Sequence, residues 1–169
     1  FIQRCNGVLM QVYAEIFHVE SEMQTKALAS IFGMLLKKGD IILLQGDLGA
    51  GKSIFARALI QSLQYESEEV PSPTFTLIQS YDTPLGVVWH ADLYRLNSAD
   101  ELAELGFPHI FDNAILLVEW PDILIPSLSD KYLKIEFETT EDPDERIITF
   151  RSKDPKWLER LGKLNEQKI

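Results

Sequence analysis

The sequence predicts an α/β fold, a mixed central β-sheet flanked by helices, and three observations predict it. Strand-like and helix-like segments alternate through the first half of the chain. The runs Ile41 to Leu44 and Ala114 to Val118 are unbroken in hydrophobicity, as buried parallel strands are. The late segments Tyr132 to Phe137 and Arg146 to Phe150 alternate apolar and polar residues, which makes them a hairpin and the sheet mixed.

Each element follows from local chemistry. Residues 1–9 have no clear periodicity and are set apart as an N-terminal extension, a truncated end or an expression remnant. Gln11 to Val19 reads as the first strand. Ser21 is placed as a helix N-cap, with Gln24 completing a capping box. Met23, Ala27, Leu28, Ile31, Phe32, Leu35 and Leu36 follow at helical spacing, and Gly39 can end that helix. Lys52 to Leu63 is a second helix, burying Phe55, Ala58 and Leu59. Pro71 to Thr76 is a proline-bounded loop that enters a strand from Phe75 to Tyr81. Thr83 to Gly86 makes a turn, and Val87 to Ala91 returns as a strand. Ala99 to Leu105 is a short helix closed by Gly106, and Pro155 to Leu164 a terminal one. The acidic stretch from Glu141 to Glu145 is a solvated hairpin turn, lacking the glycine a calcium loop needs.

The 169 residues match one domain. We assign residues 10–152 to that domain and residues 153–169 to a helical tail. A charged fraction of 25% and a mean hydropathy of −0.05 are those of an ordinary water-facing domain. The apolar runs are too short to span a bilayer, which takes about 20 residues, so no membrane association is expected. Phe1 to Met10 carries Arg4 and Asn6 where a signal peptide would be apolar. One cysteine, Cys5, allows no disulfide within the chain, in keeping with a reducing, cytoplasmic setting. A net charge of −10 argues against the chain being the main nucleic-acid surface, because phosphate neutralisation calls for a basic one. It leaves room for a local nucleotide site and for docking to a partner.

The strongest signal is Gly46-Asp47-Leu48-Gly49-Ala50-Gly51-Lys52-Ser53, a complete phosphate-binding loop between an apolar strand and a helix. Its glycines let successive backbone N–H groups point into one concavity, and the helix N-terminus adds its positive end. Lys52 would reach the outer phosphates, and the Ser53 hydroxyl is a natural Mg²⁺ ligand. A Mg²⁺ site also needs a carboxylate at a strand end. Glu119, after Ile115 to Val118, is the better candidate. Asp92, after Val87 to Ala91, is the second, suited to a metal-bound or attacking water, or alternatively to capping a helix or pairing with Arg95. His90 is read first as a core histidine. Trp120 before Pro121 could be a packing residue, and Thr74 the start of a strand. Guanine-specific N-K-x-D and transporter-type L-S-G-G-Q motifs are absent, which argues against the ordinary GTPase and transporter ATPase readings. A small-molecule phosphotransferase stays open as an alternative, although the arginines are too scattered for the usual lid.

Four blocks together carry a specific resemblance. They are the phosphate loop, Ser72-Pro73-Thr74-Phe75-Thr76, His90-Ala91-Asp92-Leu93-Tyr94-Arg95 and Val118-Glu119-Trp120-Pro121. In order and spacing, from about Tyr13 to Arg151, the chain resembles the bacterial TsaE (YjeE) family. That family is the ATPase component of tRNA threonylcarbamoyladenosine synthesis. The resemblance implies a P-loop NTPase fold, binding of ATP and Mg²⁺, and slow hydrolysis alone. It implies work with two partner proteins, TsaB and TsaD, through which the tRNA is mainly contacted. TsaD makes the transfer to adenosine 37, and the TsaE-like subunit resets the assembly between turnovers. By the same resemblance Lys52 contacts phosphates and Ser53, threonine in most of the family, joins Glu119 at Mg²⁺. Trp120 lies beside that site, Asp92 serves hydrolysis and Thr74 sits in a switch-like loop. Thr25 and Arg146 approach the adenine.

Overall fold

The computed structural model describes residues 2–5, 8–65, 69–107 and 113–167. Nine strands and four helices are used below. β1 (Ile2–Cys5) and β2 (Val8–Gln11) pair as an antiparallel two-stranded ribbon separate from the main sheet. Gln11, expected in the first strand of the domain, thus ends β2, and β3 runs Tyr13–Val19. The main sheet has the order β3-β9-β8-β4-β7-β6-β5. Its members are β4 (Ile41–Gly46), β5 (Ile78–Thr83), β6 (Gly86–Asp92), β7 (Ile115–Glu119), β8 (Leu133–Thr139) and β9 (Arg146–Ser152). β8, β4, β7 and β6 are mutually parallel, and β5, β9 and β3 add antiparallel edges, so the sheet is mixed as the sequence predicts.

The pleat of the central strands divides the core into two layers. Ile42, Leu44, Ile115 and Leu117 face one side, under α1 (Glu22–Gly33), α2 (Lys52–Leu63) and α4 (Lys156–Asn165). Leu43, Leu116, Val118 and Ala91 face the other, under α3 (Ala99–Glu104), Phe107 and two 3-10 turns around Leu124. The first layer is organised by rings. Phe32 contacts Phe55, Phe150 and Trp157 at centroid distances of 5.1–6.2 Å. The helical tail therefore lies against the domain core, with Trp157, Leu161 and Leu164 buried in it. Asp40, 1% exposed, ties α4 to the start of β4 through Arg160 (2.6 Å) and Lys156 (3.3 Å).

Helix caps follow the sequence. Ser21 accepts the Gln24 N–H at 3.3 Å while Gln24 Oε1 accepts the Glu20 N–H at 2.6 Å. Two boundaries depart from expectation. α1 ends at Gly33 rather than near Gly39, because 3-10-type bonds from Met34, Leu35 and Leu36 N–H to Ile31, Phe32 and Gly33 carbonyls tighten the end. The strand expected from Phe75 starts at Ile78, because the Leu77 N–H closes a turn onto the Pro73 carbonyl at 2.6 Å and Leu77 takes a left-handed φ of 66°.

Candidate functional site

The phosphate loop leaves β4 at Gly46 and enters α2 at Lys52. Two backbone facts require its glycines. A Cβ on Gly46 would lie 2.5 Å from the Phe137 carbonyl oxygen of neighbouring β8, and Gly51, the N-cap of α2, has φ 106°. Ala50 is fully buried, which anchors the loop in the core. Arg146, at the start of β9, holds it from outside: Nε donates to the Ala50 carbonyl at 3.1 Å and Nη2 to Gly49 at 3.4 Å.

The parallel strands β6 and β7 end beside this loop, with Asp92 level with Glu119. This is the carboxyl edge of the sheet, where β4 is flanked on its two sides by strands from later in the chain. The result is one cleft of about 280 Å³, lined by Gly49, Gly51, Lys52, Ser53, Thr74, Asp92, Glu119 and Trp120, with Leu48 and Tyr94 at its mouth. The sequence-predicted Lys52, Ser53, Thr74, Asp92, Glu119 and Trp120 all meet here. Thr25 and Arg146 do not line it. They meet in an adjoining cleft of about 100 Å³ that shares Gly51 and Ile54 with the first. The Thr25 hydroxyl there donates back to the Ser21 carbonyl at 3.3 Å.

Lys52 is buried, and its Nζ donates to the carbonyls of Gly46 (2.6 Å) and Asp47 (2.8 Å) while lying 3.8 Å from the Trp120 ring centroid. Burial pushes the Lys52 ammonium below the ordinary lysine range, and the charges of Glu119, Asp92 and Asp47 oppose the shift. Trp120 adopts a left-handed φ of 57° unusual for a bulky residue, its ring tilted against Tyr94 at 4.8 Å and its backbone N–H donating to the Leu44 carbonyl.

Two polar chains run through the cleft. In the first, the Ser53 hydroxyl donates to Glu119 Oε2 at 2.7 Å, and His90 Nε2 lies 2.9 Å from Glu119 Oε1. In the second, the Thr74 hydroxyl donates to Asp92 Oδ2 at 2.9 Å, the Tyr94 N–H donates to Oδ1 at 3.0 Å, and Ser72 lies 2.7 Å from Thr74 Oγ1. With Thr74 donating to Asp92, Ser72 is left as the donor to Thr74. The fit to Mg²⁺ can be tested on the first chain. Neighbouring ligands of an octahedral Mg²⁺ stand about 3.0 Å apart for bonds of about 2.1 Å. A hydroxyl and a carboxylate oxygen 2.7 Å apart, both hard donors beside a phosphate loop, match one edge of that octahedron.

His90 and Tyr94 also belong to these chains. His90 is buried as a core histidine would be, yet its ring nitrogen is spent on Glu119. The available signal was its parity: two residues before Asp92 on one strand, it faces the same side.

Three comparisons with known proteins follow this geometry. The family described as "Threonylcarbamoyl adenosine biosynthesis protein TsaE" matches residues 19–148. Proteins named tRNA threonylcarbamoyladenosine biosynthesis protein TsaE are similar over most of the chain. That of Rickettsia felis is 39% identical over 124 residues, covering 73% of this chain and 72% of the relative. That of Bacillus subtilis is 38% identical over 128 residues, covering 75% and 78%. The crystal structure of YdiB from B. subtilis superposes with a TM-score of 0.75 at 29% identity, covering 92% of this chain and 96% of that one. The chain thus shares that protein's P-loop NTPase fold.

Proposed function

This chain belongs to the TsaE family of threonylcarbamoyladenosine synthesis, and we propose that it is the Mg²⁺-dependent ATPase subunit of that system. The observation that carries the reading is the convergence of Lys52, Ser53, Glu119, Asp92 and Thr74 on one cleft at the mouth of the phosphate loop. ATP places its phosphates in the loop, where backbone N–H groups and the end of α2 receive them. Lys52 trades the Gly46 and Asp47 carbonyls for phosphate oxygens, whose charge offsets the desolvation that burial imposes on its ammonium. The nucleoside end extends toward Thr25 and Arg146 in the adjoining cleft.

Ser53 and Glu119 would hold the Mg²⁺ ion, which would supply neutralisation of the phosphate charge. Asp92, fixed by Thr74 and the Tyr94 N–H, has the remaining lone pairs to orient a water for in-line attack. Among the described residues no arginine side chain lines this cleft, so turnover by the chain alone is slow. The partners TsaB and TsaD complete the cycle, carry most of the tRNA contact and make the transfer to adenosine 37, while hydrolysis here resets their assembly in the cytoplasm. The acidic surface fits docking rather than direct tRNA binding.

The test is ATP hydrolysis by the chain alone and with TsaB and TsaD, with Lys52→Ala as the blank. Stimulation by the pair that disappears in the variant is the expected result. No stimulation with ATP still bound, or intrinsic turnover well above about 1 s⁻¹, contradicts the reading.

A further inference from the structure

We propose that His90 is a positioning residue for the divalent-cation site, acting through Glu119. The inference rests on the reading of Ser53 and Glu119 as that site. His90 stands on β6 with the same parity as Asp92, and its register partner on β7 is Leu117. Its ring reaches diagonally along β7 to Glu119, so that both side chains lie beneath the start of α2. Each is 1% exposed. A carboxylate buried this deeply needs a partner for each oxygen. Oε2 receives the Ser53 hydroxyl and Oε1 receives His90.

The other ring nitrogen, Nδ1, is buried and has no hydrogen-bond partner among the described residues. A proton on Nδ1 would be a buried donor without an acceptor, whereas Glu119 can accept one from Nε2. The Nε2–H therefore aims one donor at one oxygen. With Oε1 held, the carboxyl group cannot turn about its terminal bond without breaking that contact. Oε2 stays beside Ser53 Oγ with the spacing of an octahedral edge. When Ser53 turns a lone pair to the cation in place of donating to Oε2, Glu119 keeps its orientation because His90 still holds it. Groups that orient a metal ligand in this way typically contribute about 10–100-fold in metal affinity.

Placement of the donor, rather than mere filling of the space, is the claim, and two amide variants separate the two. In His90→Gln the amide nitrogen reaches about as far as Nε2. In His90→Asn it falls short. His90→Phe fills the space with no donor. The measurement is Mn²⁺ binding by electron paramagnetic resonance with a non-hydrolysable ATP analogue present. The affinity for that analogue in EDTA serves as the control, and Glu119→Gln as the reference for loss of the ligand. We expect His90→Asn and His90→Phe to bind Mn²⁺ at least about tenfold more weakly. His90→Gln should remain close to the unsubstituted protein, with analogue affinity in EDTA unchanged throughout. Equal Mn²⁺ affinity in the Asn and Gln variants overturns the inference, as does a loss that parallels loss of analogue binding in EDTA. That comparison decides even where the Phe variant does not fold. Unchanged Mn²⁺ binding in all three, with Glu119→Gln weakened, removes His90 and leaves the cation site standing. Unchanged binding in Glu119→Gln as well removes the site itself.

Discussion

Asp92 and Gly46 show how single residues tie fold to function. Asp92 ends a strand with both oxygens already engaged, so Asp92→Asn keeps the shape and removes the charge that orients a water. ATP binding should survive this change while hydrolysis falls by about 10²–10⁴-fold, measured under single-turnover conditions. Gly46→Ala acts differently. The added methyl meets the backbone oxygen of Phe137 at 2.5 Å, and a carbonyl in a β-ladder cannot move aside. A loss of about 1–3 kcal/mol in urea unfolding, together with weaker ATP binding, is the expected outcome. At this scale the sequence was informative wherever chemistry follows from chain order. Lys52 and Ser53 lie in one contiguous motif, and Glu119 and Asp92 each follow an apolar run. The His90–Glu119 contact was hidden because it joins residues 29 apart, and only the pairing of β6 with β7 brings them together.

Elements are set by caps and apolar periodicity, and where those signals are strong the boundaries come out well. Ser21 caps its helix as its side chain predicts, and α2 and α4 fall within a residue of the expected spans. The 73–77 turn was illegible because it depends on Leu77 adopting a left-handed backbone, a choice leucine does not advertise. The terminal helix α4 carries the clearest stability prediction. Trp157 is fully buried and stacks on Phe32 at 6.0 Å, so Trp157→Ala should cost about 3–5 kcal/mol in chemical denaturation. Trp157→Phe should cost far less, since the indole N–H it removes has no hydrogen-bond partner among the described residues. Equal losses in the two variants would mean that the ring's packing against Phe32 is unimportant.

For the molecule as a whole, the sheet order places the site. β4 runs in the middle of four parallel strands, and the loop after it opens where β7 and β6 also end. The sequence shows that the sheet is mixed but not which strands are neighbours, because register is decided by tertiary pairing. Leu48 and Tyr94 at the cleft mouth, and Phe75 beside the cleft-lining Thr74, are exposed on the segments that frame the cleft. A partner seated there would sense whether the cleft is filled, which is what a subunit that resets an assembly requires. The central claim is that ATP hydrolysis at Asp92, and not nucleotide binding alone, sustains modification of tRNA. Threonylcarbamoyladenosine formed over repeated turnovers by TsaB, TsaD and this chain should be measured with the unsubstituted protein and with Asp92→Asn. Asp92→Asn should stall after the first rounds while still binding ATP. Undiminished multiple turnover with Asp92→Asn would contradict it.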